Sequence, residues 1–291
     1  MNILVIGGTR FMGVHLVKYL LAGGHSVTIA TRGKTADDFG NDVNRITMER
    51  TDKESIFRAL RGRSFDVVYD SLAYCSNDIK YLLDILECKR YIQISTLSVY
   101  QQLKDNLSEE EFDAKTYPLK WCSREDYTYD EIKRQAECAL YQTYADVSAV
   151  SVRFPYVIGE DDYTKRLYFY VEHIINSKPM NIDNLSQTMS FVKSKEAGEF
   201  LAELLNIDFC GSINAASYGT VSLSEIIHYV ENKTGIKAIL SNNGENAPYN
   251  GTPTYSLNLQ KAEKIGFNFS QLNTWLYELI DIYIAAALIK K

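Results

Sequence analysis

The chain has 291 residues, 46% hydrophobic and 23% charged, enough for one α/β domain or a domain with a smaller lobe. Its net charge of −6 disfavours a general electrostatic grip on nucleic acid and leaves only a local basic patch open. Five scattered cysteines without a C-x-x-C pair, and four dispersed histidines, suggest neither a disulfide framework nor a metal site, so a reducing cytoplasm is the expected setting.

Residues 1–13, MNILVIGGTRFMG, place an apolar strand before a glycine-rich turn, and a helix-like run follows over residues 14–21. With a strand starting at residue 2, no signal peptide is expected. Strand, turn and helix in that order build a pyrophosphate site. The glycines let the backbone approach phosphates, and the helix N-terminus directs free N–H groups and a positive dipole end at them. Gly7, Thr9, Arg10, Phe11, Met12 and Gly13 are therefore candidate cofactor contacts. Arg10 stands where G-x-x-G-x-x-G has its middle glycine, but a second apolar strand at 26–30 supplies the βαβ spacing.

At the end of that second strand, NAD-preferring sites hold an acidic residue that binds the ribose hydroxyls. Here Thr31 stands there, followed by Arg32, Gly33 and Lys34. Losing a carboxylate and gaining positive charge suit a 2′-phosphate, and Arg10, beside the adenosine ribose, points the same way. A solvated turn at Arg32 and Lys34, and a packing role for Arg10, are the structural alternatives. NADP is the expected cofactor, with NAD as the alternative.

Further along, 66–70 reads as a strand, 79–86 as a helix, 90–95 as a strand, 127–144 as a long helix and 147–153 as another strand. This βαβα order with apolar strands implies a parallel sheet covered by helices on both faces. Ligands bind beyond the carboxyl ends of such strands, so residues 7–13, 31–34, 71–75 and 95–100 converge, adding Leu72 and Ala73 to the cofactor candidates. The polar insertion at 101–124 reads as a surface loop or as a lid in which Tyr117 and Trp121 would touch the ligand. After residue 159 the alternation fades into a helix at 163–177, a short strand at 189–192 and a helix at 196–205. The apolar tail at 280–289 is broken by Asp281 and too short to span a bilayer, so it reads as a core-packing helix and no membrane partner is expected.

Tyr-x-x-x-Lys pairs occur three times, at Tyr100/Lys104, Tyr129/Lys133 and Tyr229/Lys233, where roughly one is expected by chance. Only Tyr129 lies on a helix between two sheet strands, preceded by the hydroxyl-bearing strand end Ser95-Thr96-Leu97-Ser98. A residue pair four apart shares a helix face. An ammonium at Lys133, together with a positively charged nicotinamide, would lower the phenol from its usual value of about 10 and make Tyr129 an acid/base for hydroxyl–carbonyl interconversion.

Taken in order, IGGTRFMG, DVVYDSLA, ISTLSVY, YDEIKRQAE, RFPYVIG, SFVKSKEAGEF and INAASYGTVSLSEI resemble the extended short-chain dehydrogenase/reductase family, the NAD-dependent epimerase/dehydratase group, over nearly the full chain. The GGTRF form is similar to an atypical branch that also holds chloroplast stem-loop RNA-binding proteins. The resemblance implies an α/β Rossmann doubly wound parallel sheet with helices on both faces, plus a smaller C-terminal substrate lobe. Residues 1–160 with about 188–216 would form the dinucleotide-binding domain, and 161–187 with about 217–291 the substrate lobe. It further implies that Thr96 orients the reacting carbonyl, Tyr129 is the acid/base, Lys133 binds the nicotinamide ribose and Glu49 lies near the adenine amine. Ser95 and Ser98 are then structural hydroxyls. Homodimers are common among such relatives.

Nucleotide-sugar enzymes of this family clamp a diphosphate with arginines of the second lobe. Here the last arginine is Arg166, Tyr156 replaces the usual asparagine, and Met189 stands where an arginine is frequent. These three positions are the candidate substrate contacts, with Lys178, Lys193, Lys195 and Lys237 as substitute point charges. The expected function is an NAD(P)-dependent oxidoreductase or epimerase moving hydride to or from a sugar-like or other small hydroxyl/carbonyl substrate. The alternatives are a nucleotide-diphosphate-sugar epimerase with tightly bound NAD, and a non-catalytic binding or RNA-interacting scaffold. Dehydration would need an acid and a base beside Thr96, and Leu97-Ser98 offers neither.

Overall fold

In a computed structural model that describes residues 1–289, strand β1 (Asn2–Ile6) is buried on both faces. Ile3 and Val5 join one apolar cluster with Leu16, Val17 and Leu20 of α1 (Met12–Ala22). Leu4 and Ile6 join a second with Ile56 and Leu60 of α2 (Lys53–Leu60), Ile79 and Leu82 of α3 (Ser76–Leu83), and Ala136 and Leu140 of α4 (Tyr129–Thr143). Side chains alternate across a strand, so an unbroken apolar run needs cover on both sides.

The chain continues through β2 (Ser26–Thr31), β3 (Val43–Thr47), β4 (Ser64–Asp70), β5 (Glu87–Thr96) and β6 (Ser148–Phe154). Four short strands, β7 (Tyr156–Ile158), β8 (Pro179–Asn181), β9 (Thr188–Met189) and β10 (Phe191–Lys193), precede β11 (Gly211–Asn214). Seven strands pair in the order β11-β6-β5-β4-β1-β2-β3, all parallel. The chain runs outward one way from β1 and then the other way from β4, so the direction reverses between those two strands. Ile6 pairs with both Ala30 and Asp70, which brings residues 7, 31 and 71 to the same edge. That edge is the ligand crevice of a doubly wound sheet.

The remaining elements are α5 (Arg166–Ile175), α6 (Ser194–Glu203), β12 (Val221–Ser222), α7 (Leu223–Thr234), β13 (Ile239–Leu240), β14 (Glu245–Asn246), α8 (Gln260–Lys264) and α9 (Leu276–Ile289). β7 pairs with β10, β9 with β12, and β8 lies between β13 and β14. α9 buries Leu276, Leu279, Ile280, Tyr283, Ile284 and Ala287, as its apolar run implied. No helix among the described residues is long and apolar enough to cross a membrane.

Three elements depart from the sequence reading. The helix expected at 79–86 occupies Ser76–Leu83, because Asp78 accepts the Tyr74 and Cys75 N–H groups and starts the helix on polar residues. The strand expected at 189–192 divides at Ser190, whose carbonyl accepts the Tyr255 hydroxyl at 3.0 Å. The helix expected from 163 starts at Arg166, after Lys165 in a left-handed conformation (φ 55°). The insertion at 101–124 is tied into the fold. Leu107, Phe112 and Cys122 are buried, Arg153 donates to the carbonyls of Glu109 and Phe112, and Leu107 N–H donates to Ser256 O.

α6 lies against α1 at Gly198, where a Cβ would stand 2.6 Å from His15 Cβ, 2.8 Å from Leu16 N and 2.9 Å from Met12 O. Two of these atoms are helix backbone and cannot yield without separating the helices. Gly198→Val should therefore cost about 1–3 kcal/mol in urea denaturation.

Candidate active site

The turn after β1 needs glycine. Gly7 and Gly8 hold φ of +99° and +89°, and a Cβ on Gly7 would run into Ser71 Oγ, which donates to Ile6 O at 2.7 Å. Gly13 lets the first turn of α1 press on the loop, since a Cβ there would stand 2.9 Å from Gly8 Cα. Arg10 can take the place of the middle glycine because the positive φ falls on the next residue, Phe11 (φ 56°). No side chain caps α1 and its first turn holds no acidic residue, so that helix end presents its dipole to the crevice without an internal counter-charge.

A cavity of about 850 Å³ runs along the carboxyl ends of the strands. At the β2–β3 end it is lined by Thr31, Arg32, Lys34 and Glu49; at the β5–β6 end by Thr96, Tyr129, Lys133, Tyr156 and Arg166. Gly7, Thr9, Arg10, Phe11, Met12, Gly13 and Leu72 form the wall between. Two expected positions lie elsewhere. Ala73 is fully buried in the core and contributes its carbonyl to Lys133, while Met189 is fully buried in β9, paired with Val221. Lys178, Lys193, Lys195 and Lys237 do not line the cavity. Neither do Tyr117, whose hydroxyl donates to Glu131 at 3.0 Å, and Trp121, which lies under Lys80; the insertion reaches the cavity through Leu103 and Arg124 instead.

The two other Tyr/Lys pairs are committed to structure. Tyr100 donates to Asn214 and Lys104 pairs with Glu111, while Tyr229 and Lys233 both bind Asp281.

Tyr129 is the first residue of α4, and its side chain is about half exposed at the cavity wall. Its ring meets the edge of Tyr74 at 6.1 Å. Partial desolvation raises the phenol above its ordinary value and Tyr74 adds to this, while the Thr96 hydroxyl and the Arg166 charge act the other way. The direction is the reverse of the one expected from Lys133. That ammonium turns inward, donating to Ile94 O at 2.8 Å and Ala73 O at 3.0 Å, and is 3% exposed. Burial pulls Lys133 down to about 8, against the supporting charges of Glu137, Asp70 and Asp78. Arg166 is thus the cation that acts on the phenol. Thr96 Oγ1 accepts Ser98 N–H at 3.2 Å, which orients its hydroxyl at the strand end.

At the opposite end, Arg32 Nη1 stands 3.9 Å from Glu49 Oε2. Desolvation works against the Glu49 carboxylate, yet Thr51 and the charges of Arg32 and Lys34 hold it below the usual range. Behind the wall, buried Arg50 donates to Asp70 Oδ2 at 2.6 Å and Asp70 Oδ1 accepts Leu72 N–H at 2.8 Å, which fixes the chain after β4. Tyr74, within the expected run at 71–75, also lines the cavity, as do Arg124, Tyr163 and Thr252, which no local signal marked as contacts. Tyr163 meets Phe11 edge-on at 6.0 Å and lies under Arg10 at 5.5 Å, which joins the glycine turn to the loop before α5. Among the described residues, no group of three or more His, Cys, Asp or Glu side chains is arranged to hold a metal.

The family described as "NAD dependent epimerase/dehydratase family" matches residues 3–208. Chloroplast stem-loop binding protein of 41 kDa b from Arabidopsis thaliana is 32% identical over 113 residues, a match covering 34% of this chain and 30% of that protein. Among solved structures, MoeE5 in complex with UDP-glucuronic acid and NAD superposes with a TM-score of 0.75 at 18% identity, covering 100% of both chains. The UDP-glucose 4-epimerase of Thermus thermophilus, in complex with NAD, gives 0.69 at 18% identity over 99% of both. At that identity the likeness is one of fold.

The lowered pKa of Lys133 has a consequence for stability. The folded protein binds fewer protons at this site than the unfolded chain between about pH 8 and the ordinary 10.5. The lysine's contribution is therefore full above the ordinary value and is lost as pH falls through the lowered one. Denaturant midpoints measured from pH 7.5 to 10 should rise more steeply in the natural protein than in Lys133→Met; parallel profiles would contradict the shift.

Proposed function

The chain belongs to the NAD-dependent epimerase/dehydratase family, and we propose that it is an NADP(H)-dependent oxidoreductase or epimerase acting on a small hydroxyl or carbonyl compound. The observation that carries this reading is the meeting of Thr96, Tyr129 and Lys133 with an uncapped, glycine-rich helix start in one cavity.

The residues suit a dinucleotide. The turn at Gly7 and Gly8 and the first turn of α1 would hold the pyrophosphate, and Lys133, with two of its three N–H donors spent on carbonyls, keeps one for a ribose hydroxyl. Arg32 and Lys34 line the end where an adenosine ribose would lie, Thr31 stands where NAD-preferring sites hold a carboxylate, and the carboxylate at this end, Glu49, is paired with Arg32. When bound, the nicotinamide supplies or accepts the hydride.

The protein's own part is proton transfer and orientation. Thr96, held by the Ser98 N–H it accepts, turns its own proton from Ser98 Oγ, 3.3 Å away, to the reacting oxygen. Tyr129 delivers its proton to that oxygen in reduction and takes it back in oxidation. Burial holds the phenol above its ordinary value, so Tyr129 carries its proton at neutral pH. The second half of the chain, 161–187 with about 217–291, serves as the substrate lobe in this reading, reaching the cavity through Tyr163, Thr164 and Arg166 and through Gly251 to Tyr255.

Two variants test the assignment. Tyr129→Phe should leave NADPH affinity unchanged while turnover drops by about 100-fold or more; full turnover would remove Tyr129 from the mechanism. Arg32→Ala combined with Lys34→Ala should weaken NADPH by about tenfold or more in a fluorescence titration and leave NADH nearly unaffected. Equal losses for the two would reject the 2′-phosphate assignment.

A further inference from the structure

Arg166 opens α5 at the reacting end of the cavity, with its guanidinium 5.6 Å from the centre of the Tyr156 ring. The other arginines of this wall that form ion pairs are held by carboxylates, Arg32 by Glu49, Arg50 by Asp70 and Arg124 by Asp78. Among the described residues no carboxylate forms such a pair with Arg166. Asp162, four residues earlier, spends one oxygen on Thr164 and keeps the other buried, off the cavity wall. Beside Arg166 the wall offers a pair of hydroxyls, Tyr156 and Thr252, 2.9 Å apart.

A guanidinium with its fork of donors unspent, backed by an aromatic face and flanked by hydroxyls, matches an oxyanion. The room is limited as well. A volume of about 850 Å³ is that of a pocket for one moderately large ligand, and a dinucleotide held as proposed would fill the stretch from Arg32 to Lys133. What is left at Tyr129 suits a compact molecule.

We infer that Arg166 is the anion-binding residue of the substrate end, and that the substrate is a small carbonyl or hydroxyl compound carrying a single phosphate or carboxylate group. This rests on the dinucleotide-dependent reading above.

The test is to saturate the protein with NADPH and titrate inorganic phosphate or acetate at constant ionic strength, following cofactor fluorescence. The natural protein, Arg166→Gln and Arg166→Lys are compared. The inference expects saturable binding of one anion, weakened tenfold or more in Arg166→Gln and partly restored in Arg166→Lys, with NADPH affinity equal in all three. Preference for phosphate would identify a phosphate ester as the substrate, and preference for acetate a carboxylic acid. Equal anion affinity in the natural protein and Arg166→Gln, or no saturable binding of either anion, would overturn it. So would a parallel loss of NADPH, which would move Arg166 to the cofactor. Failure of NADPH to bind the natural protein appears before any anion is added; it overturns the dinucleotide reading and this inference with it.

Discussion

Arg153 and Glu137 meet at 2.7 Å with neither side chain exposed to solvent, and the geometry of the cavity depends on that pair. Glu137 lies on α4, one turn beyond Lys133 and two beyond Tyr129. Its Oε1 also accepts the Ser95 hydroxyl at 2.5 Å, and Ser95 immediately precedes Thr96. Arg153, in β6, donates in addition to the carbonyls of Glu109 and Phe112 in the insertion. One buried ion pair therefore fixes the depth of the helix carrying Tyr129, the end of the strand carrying Thr96, and the course of the insertion that delivers Arg124. Taking two charges out of water is costly, and their mutual attraction roughly offsets that cost. The role of this pair is better understood as setting register: an α4 shifted by one residue would leave both charges buried and alone.

Charges around the cavity divide by solvent access. The buried arginines, Arg50 and Arg153, are paired and hold backbone. Asp70, held by Arg50, also accepts the Tyr91 hydroxyl and Leu72 N–H, so the β4 turn is braced from behind. The cations on the open wall, Arg10, Lys34 and Arg166, form no ion pair among the described residues, and a cation kept at the surface costs little to leave unpaired. Lys133 falls between: it lines the cavity yet is buried, bound to two carbonyls and pulled down to about 8. The fold thus leaves free the cations that face the open cavity and neutralises those that brace its wall from behind.

The doubly wound sheet, the glycine turn and the place of Tyr129, alone of the three Tyr/Lys tyrosines, at the cavity were all legible in the chain, because each is a local pattern. Apolar runs marked strands that need cover on both faces, glycines marked the positive φ angles at residues 7 and 8, and Tyr129 was singled out by lying on a helix between two sheet strands. Boundaries failed where a polar residue started an element, as Asp78 does for α3. Which distant residues meet at the cavity was settled by packing alone. Arg124, Tyr163 and Thr252 arrive from three separate segments, while Met189 and the expected lid residues Tyr117 and Trp121 turn elsewhere. Packing also set the sign of the phenol's shift. The i, i+4 spacing puts Lys133 on the same helix face as Tyr129, but the carbonyls of Ala73 and Ile94, distant in sequence, draw its ammonium inward. Spacing along one helix sets which side chains are neighbours; the charge and burial each one feels are set by every element packed around it.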